Sequence, residues 1–259
     1  MKIEPAKGTR TFDFRRSRYE HLKNFNVLRS LVVAKSGSGK TVLLQQMILS
    51  IFRDPSGKSI FERVYVFSPT VFSDTVWEPV LKFCRKELGH NDEEPGPFFD
   101  TWDESALTKL VEEQKQLIDY EKSHPKEFKN KLHQILVVVD DFASDESIMR
   151  GKRGQILKEL YLRGRHYGIN LIVSVQKWKL ASTVMRTQAT SVFYFRAGSL
   201  TDLDDFLENF SALVPGGKKA LMEIYREATR EPYSFLTVDL LQQDPARIFM
   251  KRFDSYLTV

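Results

Sequence analysis

The sequence predicts an α/β fold in which a mainly parallel β-sheet carries helices on both faces. Apolar runs of strand length recur along the 259 residues, and segments of helical length separate them. Continuous runs rich in β-branched residues are typical of strands that are buried on both faces. Strands that alternate with helices favour parallel pairing, and a chain of this length accommodates one large domain of this kind.

The predicted elements are the apolar runs and the helical segments that turn residues bound. Strands are expected at residues 27–34, 64–68, 135–139, 171–175, 192–195 and 234–238. Helices are expected at residues 40–52, 75–88, 104–122, 155–167 and 218–226. We therefore expect a basic amino-terminal arm at residues 1–26, an α/β domain at residues 27–240 and a carboxyl-terminal arm at residues 241–259.

Cysteine content and hydropathy exclude several classes of protein. The single cysteine, Cys84, cannot form an intrachain disulfide, and no Cys/His spacing matches a zinc site. Residues 1–20 contain no apolar core of a signal peptide, and the longest apolar runs are too short to span a bilayer. The sequence thus favours a soluble protein in a reducing, intracellular setting, without a membrane span and not secreted.

Positive charge is concentrated in two segments, although the formal net charge of the chain is only +5. Residues 1–30 are basic, and residues 147–200 contain Glu159 as their single acidic residue. The basic residues of this second segment are Arg150, Lys152, Arg153, Lys158, Arg163, Arg165, Lys177, Lys179, Arg186 and Arg196. Because lysine and arginine supply most non-specific affinity for nucleic acids, the two segments indicate a polyanionic partner; a solvated surface is the alternative.

A glycine-rich loop follows the first predicted strand directly and precedes the first predicted helix. It has the Walker A pattern, except that alanine stands at the first glycine position. Its residues are Ala34, Lys35, Ser36, Gly37, Ser38, Gly39, Lys40 and Thr41. Glycines let backbone N–H groups approach phosphates, and the helix adds a positive dipole. The lysine of such loops reaches the β- and γ-phosphates and the hydroxyl binds magnesium, so the sequence predicts an ATP and Mg²⁺ site on a P-loop NTPase fold.

A second motif, at residues 135–141, is an apolar strand that ends in two aspartates. Ligands in open α/β sheets bind at the carboxyl ends of the strands. Asp140 is therefore expected to hold the magnesium through water, and Asp141 to face the γ-phosphate and orient water. A strand end followed by a helix cap would produce the same pattern without function, but the P-loop upstream favours the catalytic interpretation. Glu146 is the alternative residue for orienting the water.

Two further segments are candidates for completing the site. The apolar strand at residues 171–175 ends at Gln176, whose amide is suited to contact the γ-phosphate or the attacking water; a simple turn residue is the alternative. Arg163 and Arg165 lie near the end of a predicted helix that Gly168 terminates. These arginines either stabilise the helix dipole or reach the γ-phosphate of a neighbouring subunit as an arginine finger.

In this order the motifs resemble those of the poxvirus-type virion DNA-packaging ATPases, within the HerA/FtsK superfamily of P-loop motors. The resemblance covers about residues 27–210. It includes SGSGKT (36–41), VVVDD (137–141), GRH (164–166), the strand before Gln176, and SVFYF (191–195) followed by TDLDDFLENF. The Asp-Asp pair and the Gly-Arg-His element distinguish this family from other P-loop families, because a Walker A motif alone occurs in many of them. The resemblance implies a P-loop ATPase domain of the ASCE type at residues 27–240.

The resemblance also implies a ring-forming, Mg²⁺-dependent ATPase that translocates double-stranded DNA into a viral capsid. The expected partners are further copies of the chain, duplex DNA and a capsid vertex or portal-like protein. The expected location is the host cell interior at sites of virion assembly, or the virion itself. Lys40 and Thr41 then contact phosphate and magnesium, Gln176 acts as the sensor, and Arg165 is favoured over Arg163 as the finger.

Two loop positions carry further expectations. Lys35 stands where terminase motors have a basic residue that acts on the γ-phosphate, and a solvated loop lysine is the alternative. Contacts with DNA that do not depend on base sequence are expected where two basic segments leave the sheet, at the edge where the nucleotide is expected to bind. These contacts are Arg150, Lys152, Arg153, Lys177 and Lys179.

Other functions are less compatible with the motifs. A GTPase requires an Asn-Lys-x-Asp motif that binds guanine and an Asp-x-x-Gly motif at switch II. Residues 130–133 lack the aspartate of the first motif, and residues 140–143 lack the glycine of the second. A nucleotide kinase remains open, although a long basic stretch suits a polynucleotide better than a small acceptor. A nucleotide-gated assembly scaffold, in which hydrolysis is incidental, remains open as well.

Overall fold

The computed structural model describes residues 12–19, 22, 27–90, 96–129, 131–142 and 145–258. Its strands are β1 (Arg29–Val33), β2 (Arg63–Phe67), β3 (Phe98–Phe99), β4 (Ile135–Val139), β5 (Ile169–Val175), β6 (Ser191–Phe195), β7 (Phe235–Asp239), β8 (Phe249–Lys251) and β9 (Ser255–Tyr256). Its α-helices are α1 (Lys40–Gln46), α2 (Glu78–Glu87), α3 (Glu104–Ser123), α4 (Glu146–Met149), α5 (Gln155–Arg163), α6 (Thr183–Gln188), α7 (Leu200–Phe210) and α8 (Gly217–Ala228). A π-helical segment, Met47–Ile51, continues α1.

The nine strands of the described residues belong to one sheet in the order β3-β2-β4-β5-β1-β6-β7-β8-β9. The strands from β3 to β6 pair in parallel, and those from β6 to β9 pair antiparallel. One strand, β5, separates β1 from β4, which is the arrangement of ASCE-type P-loop proteins. The predicted α/β fold with a mainly parallel sheet is therefore confirmed. We call the edge at which the parallel strands end the carboxyl edge, and the opposite edge the amino edge.

The two faces of the sheet bury separate cores because successive side chains of a strand point to opposite sides. In β4, Leu136 and Val138 pack with residues of α1 and α2 on one face. Val137 and Val139 pack with residues of α3 and α5 to α8 on the other. Every residue of β4 is buried, as its uninterrupted apolar sequence predicts.

The link between β6 and β7 changes the direction of the sheet. The sequence pattern treats residues 234–238 as one more strand of a parallel sheet, but β7 pairs antiparallel with β6. Two helices, α7 and α8, lie between these strands. A single helix would return the chain to the amino edge, whereas a second one brings it back to the carboxyl edge. The segment at residues 230–234, just before β7, consequently lies at the same edge as the P-loop.

The two predicted arms contact the domain where the structure describes them. Within residues 241–259, β8 pairs with β7, and Phe249 and Met250 are buried. Near the amino terminus only residues 12–19 and 22 are described, so Arg10 lies outside the described residues. The Leu132 amide donates to the Asp13 carbonyl at 3.0 Å, and the Gln134 side chain donates to the Arg15 carbonyl at 2.8 Å. This part of the amino-terminal segment therefore lies beside the start of β4.

Candidate functional site

The glycine-rich loop links β1 to α1 at the carboxyl edge. Gly37 and Gly39 have φ angles of 73° and 86°, a left-handed conformation that side chains other than glycine rarely adopt. The Ala34 amide donates to the Val175 carbonyl at 3.0 Å, so the start of the loop is tied to the end of β5. Among the described residues no side chain caps α1, and its first N–H groups are left for a ligand.

Lys40 lies between the two aspartates that follow β4. Its Nζ is 3.0 Å from Oδ1 of Asp140 and 2.5 Å from Oδ1 of Asp141. The side chains of Lys40 and Asp140 are only 7% and 0% exposed, whereas that of Asp141 is 37% exposed. The first aspartate is thus enclosed in protein, and the second faces solvent.

Hydroxyl groups from two elements contact Asp140. The Ser174 hydroxyl, on β5, donates to Oδ1 of Asp140 at 2.5 Å, and the Thr41 hydroxyl donates to Oδ2 at 3.5 Å. The described residues contain no cluster of three or more His, Cys, Asp or Glu side chains that could hold a metal by themselves. A hydroxyl beside one carboxylate is the ligand set of an ion such as Mg²⁺, which keeps several waters and also binds substrate phosphates.

The backbone of Asp141 adopts an uncommon conformation. Its φ angle is 61°, in the left-handed region, which aspartate tolerates better than most residues. Its amide donates to the Ser174 hydroxyl at 3.2 Å. Ser174 therefore contacts both aspartates, and it was not among the residues predicted from the sequence. A polar residue inside the apolar strand at residues 171–175 was the available signal.

The remaining residues predicted around the phosphate site lie at the carboxyl edge. Gln176 directly follows β5 and is exposed, as is Lys35 in the P-loop. Glu146 is the first residue of α4 and is also exposed. Asp145 caps that helix by accepting from the Ser147 amide at 2.9 Å. The Ser147 hydroxyl also donates to it and lowers the pKa of the Asp145 carboxyl, with a smaller contribution from Arg153.

Arg163 and Arg165 lie at the amino edge, away from the P-loop of their own chain. They end α5 and form the turn that precedes β5, so the whole length of β5 separates them from the carboxyl edge. Arg163 is 3.9 Å from Glu159, and the Arg165 Nε donates to the His166 ring at 3.4 Å. Burial, followed by the charge of Arg165, lowers the pKa of His166. The structure does not bring these arginines to the phosphate site of the same subunit.

The basic residues predicted to bind DNA are exposed at the carboxyl edge, and some already have acidic partners. Arg153 forms an ion pair with Asp145 at 2.8 Å, and Lys179 forms one with Asp205 at 2.7 Å. Within the described part of the chain, the side chains of Arg150, Lys152 and Lys177 have no such partner. These three side chains are therefore the ones in the predicted interface that are most available to bind phosphate.

Trp178, between two of these lysines, is buried. Its ring packs against Phe206 and Phe210 of α7, with ring centroids 5.5 and 5.4 Å away. Its amide donates to Asp202 at 2.8 Å. It therefore packs on the next helix, as we expect for a tryptophan between solvated lysines, and offers no surface for base stacking.

Tyr233 is a further residue at the carboxyl edge, and no local motif predicts it. The residue is 71% exposed, and its φ angle of 59° is left-handed. A Cβ atom placed on Gly39 would lie 3.2 Å from Cδ1 of Tyr233, so the ring lies directly over the P-loop. It lines a cavity together with Arg196 and Arg230, and these two arginines also line a second cavity.

Comparison with known proteins found relatives among viruses. No protein-family model matches the chain. Uncharacterized protein 075L of Invertebrate iridescent virus 6 is 24% identical over 226 residues, which cover 85% of this chain and 75% of that protein. Uncharacterized protein 015R of Frog virus 3 (isolate Goorha) is 21% identical over 240 residues, which cover 92% of this chain but only 65% of that protein.

Solved structures share the fold. The genome packaging NTPase B204 of Sulfolobus turreted icosahedral virus 2, in complex with AMP, has a TM-score of 0.54 at 16% identity; the match covers 83% of this chain and 93% of that one. B204 of Sulfolobus turreted icosahedral virus, a DNA-packaging ATPase, has a TM-score of 0.51 at 18% identity and the same coverage. The cytoplasmic domain of EssC has a TM-score of 0.52 at 15% identity, covering 80% of this chain and 41% of that one. The chain therefore has a P-loop NTPase fold. None of its described helices is long and apolar enough to cross a membrane.

Proposed function

We propose that this chain is an ATP-hydrolysing motor that translocates double-stranded DNA into a viral capsid, as poxvirus-type packaging ATPases do. One observation carries the proposal: the Lys40 ammonium contacts Asp140 and Asp141 at the end of the P-loop, at 3.0 and 2.5 Å. A phosphate-binding cation and two carboxylates thus share one site, as hydrolysis of a nucleoside triphosphate requires.

The residues around Asp140 fit a magnesium ion. Thr41 and Asp140 provide a hydroxyl and a carboxylate within 3.5 Å of each other, and both oxygen types suit Mg²⁺. In the proposed complex these two residues would hold the ion, which would neutralise negative charge on the bound phosphates. Ser174 keeps the Asp140 carboxylate oriented through its hydrogen bond. Lys40 and the backbone N–H groups of the loop bind the phosphates.

Asp141 is the proposed residue for orienting the attacking water. Its carboxylate is 37% exposed, whereas that of Asp140 is enclosed in protein, so Asp141 is the aspartate that faces solvent. Gln176 ends the neighbouring strand and is the proposed sensor of the γ-phosphate. Glu146 remains the alternative to Asp141, since it is exposed at the start of α4.

We propose that Arg165, with Arg163 as the alternative, completes the site of a neighbouring subunit in a ring. The position of both arginines at the amino edge excludes direct action on their own P-loop. An arginine supplied by a neighbour stabilises charge that develops on the transferred phosphoryl group. Hydrolysis would then depend on assembly of the ring.

Duplex DNA is the proposed polymer, and it is bound through phosphates. Arg150 and Lys152 follow α4 in the connection from β4 to α5, which begins with Asp141, and Lys177 directly follows Gln176 at the end of β5. Two viral relatives and the fold of a DNA-packaging ATPase support a role in packaging. Nucleotide binding is supported by the shared fold of B204, which was also solved with AMPPCP at a TM-score of 0.52. A capsid vertex or portal-like protein in the infected cell is the remaining proposed partner.

The direct test is ATP hydrolysis by the purified chain over a range of protein concentrations, with and without long duplex DNA. We expect the rate per subunit to rise with concentration, because ring assembly completes the site, and to rise further with DNA. Lys40→Gln should abolish turnover. Glutamine suits the test better than alanine, because it can still donate a hydrogen bond to the buried Asp140 carboxylate.

The matched control is Lys82→Gln, which removes an exposed lysine of α2. Wild-type turnover by Lys40→Gln would refute the ATPase site. An ATP hydrolysis rate that does not change when duplex DNA is added would favour the assembly scaffold. Phosphate transfer to a nucleotide acceptor in the absence of DNA would favour a kinase.

A further inference from the structure

A cavity of about 240 Å³ lies beside the P-loop, away from the two aspartates. Lys35, Gly37 and Ser38 form one wall, and Phe195 and Arg196 at the end of β6 form another. The third wall consists of residues 230–234, which include Tyr233. The cavity adjoins a larger one of about 570 Å³, because Arg196 and Arg230 line both.

The order of the strands determines which end of a nucleotide would enter this cavity. Asp140 and Asp141 follow β4, which lies on the β5 side of β1, whereas β6 and β7 lie on the other side. Lys40 contacts both aspartates, so the terminal phosphate belongs on the β4 side. The remainder of a bound nucleotide then leaves the loop towards β6 and β7. This step rests on the proposed function, because it requires ATP in the P-loop.

Tyr233 combines an unfavourable backbone conformation with high exposure to solvent. The φ angle of 59° is unfavourable for an aromatic residue, and the residue is 71% exposed. Within the described part of the chain its ring makes no hydrogen bond, ring stacking or cation–π contact. The ring instead covers Gly39, where a Cβ atom would come within 3.2 Å of it. Strained and exposed residues of this kind cluster at ligand sites.

The segment that carries Tyr233 is held in place from both ends. The Ser234 hydroxyl donates to the Ala228 carbonyl at 2.6 Å. Glu231 forms ion pairs with Lys251 at 2.8 Å and Arg252 at 3.4 Å. The hydrogen bond from Lys251 lowers the pKa of Glu231, which keeps this carboxyl ionised. The ring is therefore positioned before any ligand binds, which reduces the ordering cost of binding.

The charge of the cavity suits the rest of a nucleotide. Arg196 directly follows β6, which pairs with β1 through Val33 and Tyr194, so it leaves the sheet beside the start of the P-loop. Lys35 lines the same cavity, and Glu231, its acidic residue, already has two cationic partners. A ligand with negative phosphates and a flat aromatic group matches these walls.

We propose that Tyr233 is the base-stacking residue of the nucleotide site. Its ring packs against the face of the nucleobase while the phosphates occupy the loop from Gly37 to Thr41. Stacking uses a surface that all bases share, so this contact adds affinity without selecting among purines. Tyr233 thus connects the segment before β7 with nucleotide occupancy.

The test compares binding of ATP, GTP and inorganic tripolyphosphate by titration calorimetry to the wild type, Tyr233→Phe and Tyr233→Gly. Tyr233→Gly should bind ATP and GTP between about five-fold and a hundred-fold more weakly, whereas its affinity for tripolyphosphate should not change. Tyr233→Phe should bind all three within about two-fold of the wild type. Glycine relieves the left-handed backbone strain, so Tyr233→Gly should unfold at the same temperature or higher.

The control is Tyr120→Ala, which removes another exposed tyrosine, at the end of α3. Unchanged ATP affinity in Tyr233→Gly would overturn the proposal. Equal loss of ATP and tripolyphosphate would also overturn it, because the ring would then act only by shaping the loop around Gly39. A wild-type chain that binds neither ligand would refute the phosphate site itself, and the base-stacking role with it.

Discussion

The two edges of the sheet hold the predicted catalytic residues in opposite ways. At the carboxyl edge, Lys40 and Asp140 are nearly inaccessible and lie 3.0 Å apart. At the amino edge, Arg163 and Arg165 are exposed, and their nearest polar contacts are 3.9 and 3.4 Å. A buried ion pair loses its hydration, whereas exposed pairs of long side chains contribute little energy and rearrange easily.

The difference indicates which part of the site one chain builds alone. The phosphate site is assembled from β1, β4 and β5, which are hydrogen-bonded neighbours and cannot move independently. The arginines occupy a surface that a second subunit can reach without disturbing a core. In the proposed function, one chain therefore binds the nucleotide by itself, and we expect a pair of chains to be needed for its fast hydrolysis.

The largest expected effect tests the amino edge. Arg165→Ala should reduce ATP turnover by assembled protein about a thousand-fold, because the arginine stabilises transition-state charge. ATP affinity should change little. Mixing Arg165→Ala subunits with Lys40→Gln subunits should restore part of the turnover, since the second variant still supplies Arg165 to its neighbour. Steady-state hydrolysis of the mixture measures this.

Arg247→Ala, which removes an exposed arginine elsewhere, is the control. A mixture that hydrolyses ATP no faster than its separate components would exclude action of Arg165 in trans. Arg163→Ala in the same assay then decides whether the other arginine has this role.

The next effect concerns the carboxyl edge, where substitution of each of the two aspartates should affect ATP binding and turnover differently. Asp141→Asn should keep ATP affinity and lower turnover about a hundred-fold or more, because this carboxylate acts on the attacking water. Asp140→Asn should weaken Mg²⁺-dependent ATP binding as well. Calorimetry and single-turnover hydrolysis separate the two outcomes.

Glu146→Gln is the comparison for this prediction, since Glu146 is the alternative residue for orienting water. Loss of turnover in Glu146→Gln together with normal turnover in Asp141→Asn would assign the role to Glu146. Equal loss of binding in both aspartate variants would mean that their roles have been exchanged or are shared.

The smallest expected effect concerns DNA binding by the basic residues at the carboxyl edge. Replacing Arg150 and Lys152 together by alanine should weaken binding equally for unrelated duplexes and reduce the salt dependence by about two phosphate contacts. Arg150 is preferred to Arg153, whose guanidinium already faces Asp145 at 2.8 Å. Basal hydrolysis should persist while its stimulation by DNA falls.

The control pair is Lys82 and Lys86, both exposed on α2 and outside the basic segment. DNA affinity and salt slope would be measured by fluorescence anisotropy at several salt concentrations. An unchanged slope in the Arg150 and Lys152 variant would show that this loop is ordinary surface. Residues 10–18 would then be the next candidate.

Local sequence determined the parts of the molecule whose signal lies within one segment. β4 begins and ends at the predicted residues, 135 and 139, because an uninterrupted apolar run bounded by polar residues has few other structures available. The glycines of the P-loop likewise required left-handed backbone that other residues disfavour, and Gly37 and Gly39 adopt it. The α/β class and the position of the P-loop follow from these local patterns.

Tertiary structure alone decided which distant segments meet. Two helices between β6 and β7 reverse β7 and bring Tyr233 to Gly39, although no pattern near either residue indicates the contact. The return of α5 to the amino edge separates Arg165 from the P-loop, and the insertion of β5 beside β4 gives Asp140 its Ser174 partner. Such contacts depend on how many helices connect successive strands and on which strands become neighbours, and these are properties of the whole chain.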